Sequence, residues 1–308
     1  MPKVSIICLC YNHAPYVEEA LQSVLDQTYA NIELIIVDDA STDGSKEIIR
    51  KFLKDHRNVK FIDLRENVGN CAAFNQAFNQ STGKYIVDFA TDDLLIKDRI
   101  ASQVEFLESL DEHIGIVYSD AILIDEKGRK LGRHALQYAP AEGDVYKEVI
   151  QRYFIAPPTM MIKRKVLEDL GGYDEGLDYE DFDFWVRSAR KYHYRYQVGA
   201  LTLIRKLPHS KSSNQYKKGS PRWKSTIKIC QKIRQLNRSP EEDLALVERL
   251  KYELRMAAVH GCGQEFDWFY DLYLEYEKSP GFYGILRLFG KIGLNLSFLL
   301  PGYRAIRK

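Results

Sequence analysis

The chain has 308 residues, 45% hydrophobic and 28% charged, proportions that exclude a disordered or fibrous polymer. Lys and Arg total 44 against 43 Asp and Glu, so no global attraction to nucleic acid follows and no nucleic-acid partner is expected. Five cysteines at positions 8, 10, 71, 230 and 262, without a CxxC pair, predict neither a disulfide framework nor a zinc site and suit a reducing, cytoplasmic setting. The apolar run over 4–10 is too short for a secretory signal. With no apolar run of about 20 residues, no bilayer-spanning helix is expected.

The first 120 residues alternate strand and helix patterns. Val4-Ser5-Ile6-Ile7-Cys8-Leu9 predicts a buried strand, and Val17, Ala20, Leu21, Val24 and Leu25 then recur at helical spacing after Pro15. A second strand over 32–37 ends in Asp38-Asp39, after which Ser41, Thr42 or Asp43 can cap a helix burying Ile48, Ile49, Phe52 and Leu53. A third strand over 59–62, a helix over 68–78 and a fourth strand over 85–89 follow, the last ending in Thr91-Asp92-Asp93. A helix carrying Ile100, Val104 and Leu107 leads into a strand over 114–118. Such alternation implies parallel strands, right-handed crossovers and helices on both faces of a doubly wound α/β sheet.

Beyond residue 120 the pattern is mixed. Glu126-Lys127-Gly128-Arg129 predicts a hairpin turn, and Pro157-Pro158 and Gly171-Gly172 punctuate irregular structure. Residues 180–191 read as a helix, 194–203 as a strand, and the remainder as helices. Ser239-Pro240-Glu241-Glu242 is a helix-start signature, with Val247, Leu250, Leu254 and Ala257 as the apolar stripe behind it. A helical C-terminal extension is expected over 216–308, following a first domain over 1–215.

Ligands of doubly wound sheets bind beyond the carboxyl ends of the strands. Tyr11-Asn12-His13, Asp38-Asp39 and Asp92-Asp93 all fall there. An aromatic to cover a base, a carboxylate to accept from a base N–H and paired aspartates to hold a divalent cation suit a nucleotide, since magnesium takes one or two protein carboxylates and completes its shell with phosphates and water. No GxxxxGK[ST] occurs, and Gly261-Cys262-Gly263 lacks a third glycine, so the P-loop and the dinucleotide fingerprint are both absent. An aspartyl-phosphate enzyme needs a second acid two residues after its nucleophile, where Ala40 and Ser41 stand.

Several blocks, in order, resemble the inverting sugar-nucleotide enzymes of glycosyltransferase family 2. They run from Val4 to Asn12, Ser23 to Tyr29, Glu33 to Gly44, Asn67-Val68-Gly69, Gly83 to Ile86, Thr91-Asp92-Asp93, Gly171-Gly172-Tyr173-Asp174 and Glu180 to Trp185. The resemblance covers 4–213 and implies a GT-A type mixed sheet, with a nucleotide-sugar-binding half over 1–120 and an acceptor half over 121–215. It implies that Tyr11 lies against the base with Asn12 beside it, that Asp39 accepts from the base, that Asp92 faces the ribose or pyrophosphate and that Asp93 holds Mg2+ or Mn2+. It implies that Asp181 of the Glu180-Asp181 pair is the general base for the acceptor hydroxyl. Arg205, His209 and Ser213 match residues of a basic loop closing over the diphosphate, and Thr159, after Pro157-Pro158, matches a segment bordering the acceptor pocket. Departures are Ala90 where a further aspartate is common, Phe74 before Asn75 where a basic residue is common, and Leu9 in place of a small polar residue.

The donor is thus expected to be a nucleotide-diphosphate sugar and the acceptor a glycan or lipid-linked glycan of surface polysaccharide synthesis. Other readings are a non-catalytic sugar-nucleotide-binding subunit, which would need no base, and a nucleotidyltransferase, which would usually carry a glycine-rich loop where Cys10-Tyr11-Asn12-His13 has none. The last 28 residues hold five bases, no acid and a dense set of Phe, Ile and Leu. That composition predicts contact with the inner face of the cytoplasmic membrane, or packing on protein, including a homodimer.

Overall fold

The computed structural model describes residues 1–135, 138–208, 216–279, 281–293 and 295–297. In chain order its elements are β1 (Val4–Cys10), α1 (Val17–Leu25), β2 (Ile32–Asp38), α2 (Ser45–Asp55), β3 (Lys60–Asp63), α3 (Asn70–Gln80), β4 (Tyr85–Ala90), β5 (Leu94–Leu95), α4 (Arg99–Glu108), β6 (Ile114–Ile124), β7 (Lys130–Arg133), α5 (Tyr146–Gln151), a 3-10 turn (Pro157–Thr159), β8 (Met161–Lys163), α6 (Arg164–Leu170), α7 (Asp181–Ala189) and β9 (His193–Arg205). Four helices follow: α8 (Pro221–Leu236), α9 (Pro240–Val259), α10 (Gly263–Leu274) and α11 (Gly281–Ile292).

All seven residues of β1 are buried. A strand covered on both faces by helices needs a continuous apolar run instead of an alternating one. The described strands make one sheet in the order β3-β2-β1-β4-β8-β6-β9-β5, with β7 paired to β6. β1 runs parallel to β2 and β4, β2 to β3, and β6 to β9, whereas β8 is antiparallel to both β4 and β6. The long strands therefore share one direction, and Cys10, Asp38, Ala90, Ile124 and Arg205 all reach the same edge. On one face Val4, Ile6, Cys8, Tyr85, Val87 and Phe89 form a core with Val17, Leu21, Ile100 and Val104 of the flanking helices.

The structure differs from the sequence expectation in three places. β8, three residues from a distant part of the chain, separates β4 from β6; so short a strand leaves no periodic signal. The start of α2 is not capped by Ser41 or Thr42: Gly44, at φ +96, is the capping residue, and Asp43 accepts from the Ser45 N–H and hydroxyl. β6 extends to Ile124, through the buried polar pair Ser119 and Asp120.

The chain divides into two compact units, Met1–Val145 with Tyr153–Leu207, and Tyr146–Arg152 with Pro208–Lys308. The first holds the sheet. The second gathers α8 to α11 and also α5, a helix that lies within the first unit's stretch of sequence. In the second unit Ser239 caps α9 by accepting from the Glu242 N–H, with Pro240 in the first turn. Arg249 reaches α5, its Nε donating to the Ile150 carbonyl at 2.7 Å, and it pairs with Glu253 at 3.3 Å with both side chains buried. Burial outweighs this pairing and pushes the Glu253 carboxyl up from 4.5 to about 7, as expected where desolvation exceeds the Coulombic gain.

A carboxyl raised in the folded state is protonated there after it has ionised in the unfolded chain, so its contribution is complete below about pH 4.5 and declines as pH rises toward 7. Glu253→Gln is therefore expected to become progressively more stable than wild type across that range, by up to about 1.4 kcal/mol per pH unit. Thermal unfolding followed by circular dichroism at several pH values checks it, a pH-independent difference being the contrary result.

Candidate active site

The crest of the sheet is assembled from loops that bond to one another. Asn12, in the left-handed region at φ +59, donates its backbone N–H to Ser41 Oγ at 3.0 Å and accepts from the Thr42 N–H at 2.8 Å. The side-chain carbonyl of Asn12 thus shapes the loop after β1 against the loop after β2. His13 continues the joint: its N–H donates to Ser45 Oγ, and its ring Nδ1 lies 2.9 Å from Thr91 Oγ1 in the loop after β4. Tyr11 is left 43% exposed above this frame, a ring available to a flat ligand.

The two aspartates that end β2 diverge. Asp38 is fully buried and accepts from the Ser41 N–H at 2.9 Å, with Lys46 3.8 Å away. Asp39 accepts from the backbone N–H groups of Val68 and Gly69 at 2.8 and 3.1 Å, just before α3. The next residue, Asn70, donates through Nδ2 to Glu180 Oε2 at 2.6 Å. One short stretch of chain, 68–70, therefore ties the aspartate beside the crest to the acid pair at the start of α7.

Asp93 is buried, and one of its oxygens accepts from the Arg205 N–H at 2.8 Å. Burial raises its carboxyl well above the usual range, and the Asp92 charge adds to that rise. Asp92 is less enclosed, its carboxylate 4.0 Å from His13 Nε2. A bound cation would offset both causes. Among the described residues no group of three or more His, Cys, Asp or Glu is arranged to hold a metal. The donor set therefore fits a hard cation taking one or two carboxylates and completing its shell from phosphates and water, as magnesium does, and not a closed protein site.

Two of the expected site residues are buried and bonded within the fold. Arg205 is not in a flexible loop: it ends β9, buried, and its guanidinium donates to the carbonyls of Asp92, Asp125 and Glu126 and to Glu19 Oε2, over the Tyr16 ring. With its donors turned to these groups, it braces the Asp92-Asp93 loop. Thr159 is fully buried, its hydroxyl donating to the Ala156 carbonyl at 2.7 Å and accepting from the Ser119 N–H, so it supports the wall behind any acceptor pocket. His209 and Ser213 lie outside the described residues.

Glu180 precedes α7 and Asp181 is its first residue, both half-buried, where the positive end of the helix favours a carboxylate. The sequence reading missed what lies beside them. Asp88 of β4 accepts from the Tyr173 hydroxyl at 3.1 Å, and burial together with the Glu180 charge raises its carboxyl well above the usual range. Tyr173 packs between Phe74 and Phe184, ring centroids 4.2 and 5.5 Å away, which accounts for the aromatic at position 74. Asn75 holds the Tyr173 backbone at both its N–H and carbonyl, at 2.9 Å each. The available signal was an acid inside an otherwise apolar strand, since a buried charge in such a place calls for a partner.

Comparison with known proteins agrees with this fold. The profile described as Glycosyl transferase family 2 matches residues 5–171. TuaG of Bacillus subtilis (strain 168), a glycosyltransferase assigned to teichuronic acid biosynthesis, is 29% identical over 223 residues, 72% of this chain and 86% of that one. The uncharacterized glycosyltransferase MJ1057 of Methanocaldococcus jannaschii is 33% identical over 194 residues, 60% of this chain and 64% of that one. Among solved structures, S. aureus TarS 1–349 in complex with UDP-GlcNAc superposes with a TM-score of 0.68 at 19% identity, over 98% of this chain and 92% of that one. The mannosyltransferase PcManGT of Pyrobaculum calidifontis, in complex with GDP-Man and Mn2+, gives 0.61 at 19% identity, over 99% and 82%. The fold is GT-A.

The turn before Tyr173 supplies a test of this scaffold. Gly171 and Gly172 both have positive φ, at +70 and +78, but only at Gly172 would an added Cβ meet a side chain, Asn75 Oδ1 at 2.5 Å. Gly171→Ala is expected to cost about 1–2 kcal/mol, the strain of a left-handed alanine. Gly172→Ala should cost more, because the displaced Asn75 also releases Tyr173. Denaturant midpoints of the two variants decide the order.

Proposed function

The chain is a member of glycosyltransferase family 2, and we propose that it moves a sugar from a nucleoside diphosphate donor to an acceptor hydroxyl with inversion, Asp181 acting as general base. The observation that carries this reading is the link through 68–70: Asp39 accepts from the Val68 and Gly69 amides, and Asn70 donates to Glu180. The nucleotide end of the site and the acid pair are thereby held in one frame. A fixed distance of this kind is what an in-line displacement between two bound molecules requires.

Each residue then has a task. Tyr11 covers the base, and Asp39, with its two amide bonds made, keeps lone pairs for a base N–H. Asn12 and His13 hold the loop that carries Tyr11. Asp92 meets the ribose or pyrophosphate side. Asp93 would hold a divalent cation, Mg2+ or Mn2+, which supplies charge stabilisation to the leaving diphosphate. Arg205 keeps the loop beneath it in place. At the other end Asp181 accepts the proton of the attacking hydroxyl as the bond to the anomeric carbon forms and the diphosphate departs from the opposite face. Glu180, anchored by Asn70, orients the start of α7, and the Tyr173–Asp88 contact supports it from below.

The acceptor is proposed to be a surface polysaccharide or lipid-linked glycan, by analogy with the pathway assigned to TuaG. Asp181→Asn should lower turnover by about 10²–10⁴ with donor binding retained; calorimetry with the nucleotide sugar separates the two, and loss of binding instead would remove Asp181 from the role of base. Asp93→Ala is expected to abolish the gain in nucleoside diphosphate affinity that Mn2+ gives the wild type. Equal wild-type affinity with and without the cation would refute the metal assignment.

A further inference from the structure

α11 is turned in an unusual sense. Its one charged side chain among those described, Arg287, leans along the surface to α10: Nε donates to Asp267 Oδ1 at 2.7 Å, and the guanidinium lies 5.1 Å from the Tyr270 ring. Tyr283 is likewise engaged, its hydroxyl accepting from Arg255 of α9 at 2.9 Å. The outward stripe is apolar. Phe282, Ile285 and Leu288, at i, i+3 and i+6, are 61, 57 and 63% exposed. A helix whose polar groups are taken up by neighbouring helices while its large apolar residues stay in water departs from the usual surface pattern.

We infer that this stripe of α11 is a docking surface for an anionic lipid bilayer, with Phe282, Ile285 and Leu288 entering the boundary between headgroups and acyl chains. Charge selects this occupant over a second copy. From Gly281 to Lys308 the sequence carries five Lys and Arg and no acid; with Arg287 neutralised by Asp267, the other four would repel their counterparts in a second copy, whereas an anionic leaflet neutralises them. Area points the same way. Three side chains of this size at about 60% exposure offer roughly 350 Å², against the ~800 Å² per partner that a stable dimer takes. Partial entry of a short apolar face beside basic residues is, by contrast, the geometry of interfacial helices. Among the described residues no helix is long and apolar enough to cross a membrane. The inference stands apart from the catalytic reading, since it concerns adsorption and not turnover.

The test is sedimentation of the full-length chain with vesicles of phosphatidylcholine alone and with phosphatidylglycerol added. Binding to the anionic vesicles should be at least about tenfold tighter at low salt and should weaken as salt is raised. The Phe282→Ser, Ile285→Ser, Leu288→Ser variant should lose at least about tenfold, its fold verified by circular dichroism. A Leu288→Cys chain with an environment-sensitive fluorophore supplies a second readout, the five native cysteines all being buried. Its emission should shift to the blue only when anionic vesicles are added. Full-length protein left in the supernatant at low salt overturns the inference, as does undiminished binding by the triple variant. Emission already blue-shifted without lipid overturns it in favour of cover by protein. Should that shift depend on protein concentration, a second copy takes the bilayer's place.

Discussion

The carboxylate of Asp39 receiving the amides of Val68 and Gly69 is the contact on which the site depends. Charge-assisted bonds of this kind are about twice as strong as neutral ones, and they fix where α3 begins. α3 in turn carries Asn70 to Glu180 and Asn75 to Tyr173. A buried acid at the end of one strand thus determines how an acid pair more than a hundred residues later is presented. The loop after β3 is held further by the Leu64 N–H on the Asp38 carbonyl and by Asn67 Nδ2 on the Asp39 carbonyl.

Buried charge recurs on the metal side, with a different balance. Asp93 and Asp88 are both raised chiefly by burial, and in each case a neighbouring acid adds to the rise. Asp93 has the Arg205 amide as partial compensation and Asp88 has the Tyr173 hydroxyl. One hydrogen bond contributes roughly 1 kcal/mol, less than the several that taking an ion out of water costs. Such residues would be poor choices for stability alone, and acids of this kind gather at functional sites. Arg205 meets the same constraint from the opposite sign. A buried guanidinium must satisfy its donors, and three carbonyls and Glu19 do this for Arg205, which braces the Asp92-Asp93 loop.

The second unit obeys the opposite economy at its terminal helix. In α11, polar groups are bonded to neighbouring helices and large apolar groups are left in water. The same rule that explains the sheet, namely that apolar residues seek cover and charges seek partners, explains why this surface calls for an occupant.

The elements of the first 120 residues were legible because their patterns are strong: largely apolar runs such as 4–10 and 32–37 read as strands covered on both faces, and the polar residues that follow them mark the crest. Family membership was legible in the blocks around Asp38-Asp39, Asp92-Asp93 and Glu180-Asp181. Other features required the tertiary structure. β8 is three residues long and carries no period of its own, so its place between β4 and β6 is set by which edges remain to be paired. Thr159 and Arg205 belong to residue types that serve equally well in a pocket or a brace, and only their burial and bonding partners separate the two. Asp88 and Tyr173 are 85 positions apart and meet only after the sheet and α7 have formed. The apolar spacing of α11 was visible in the sequence, but which face turns outward depended on Asp267 and Arg255, acid and base on other helices, capturing Arg287 and Tyr283. Local pattern determined what each segment becomes; pairing between distant segments decided what each side chain is free to touch, because a polar group is available to a ligand only when the fold has not already satisfied it.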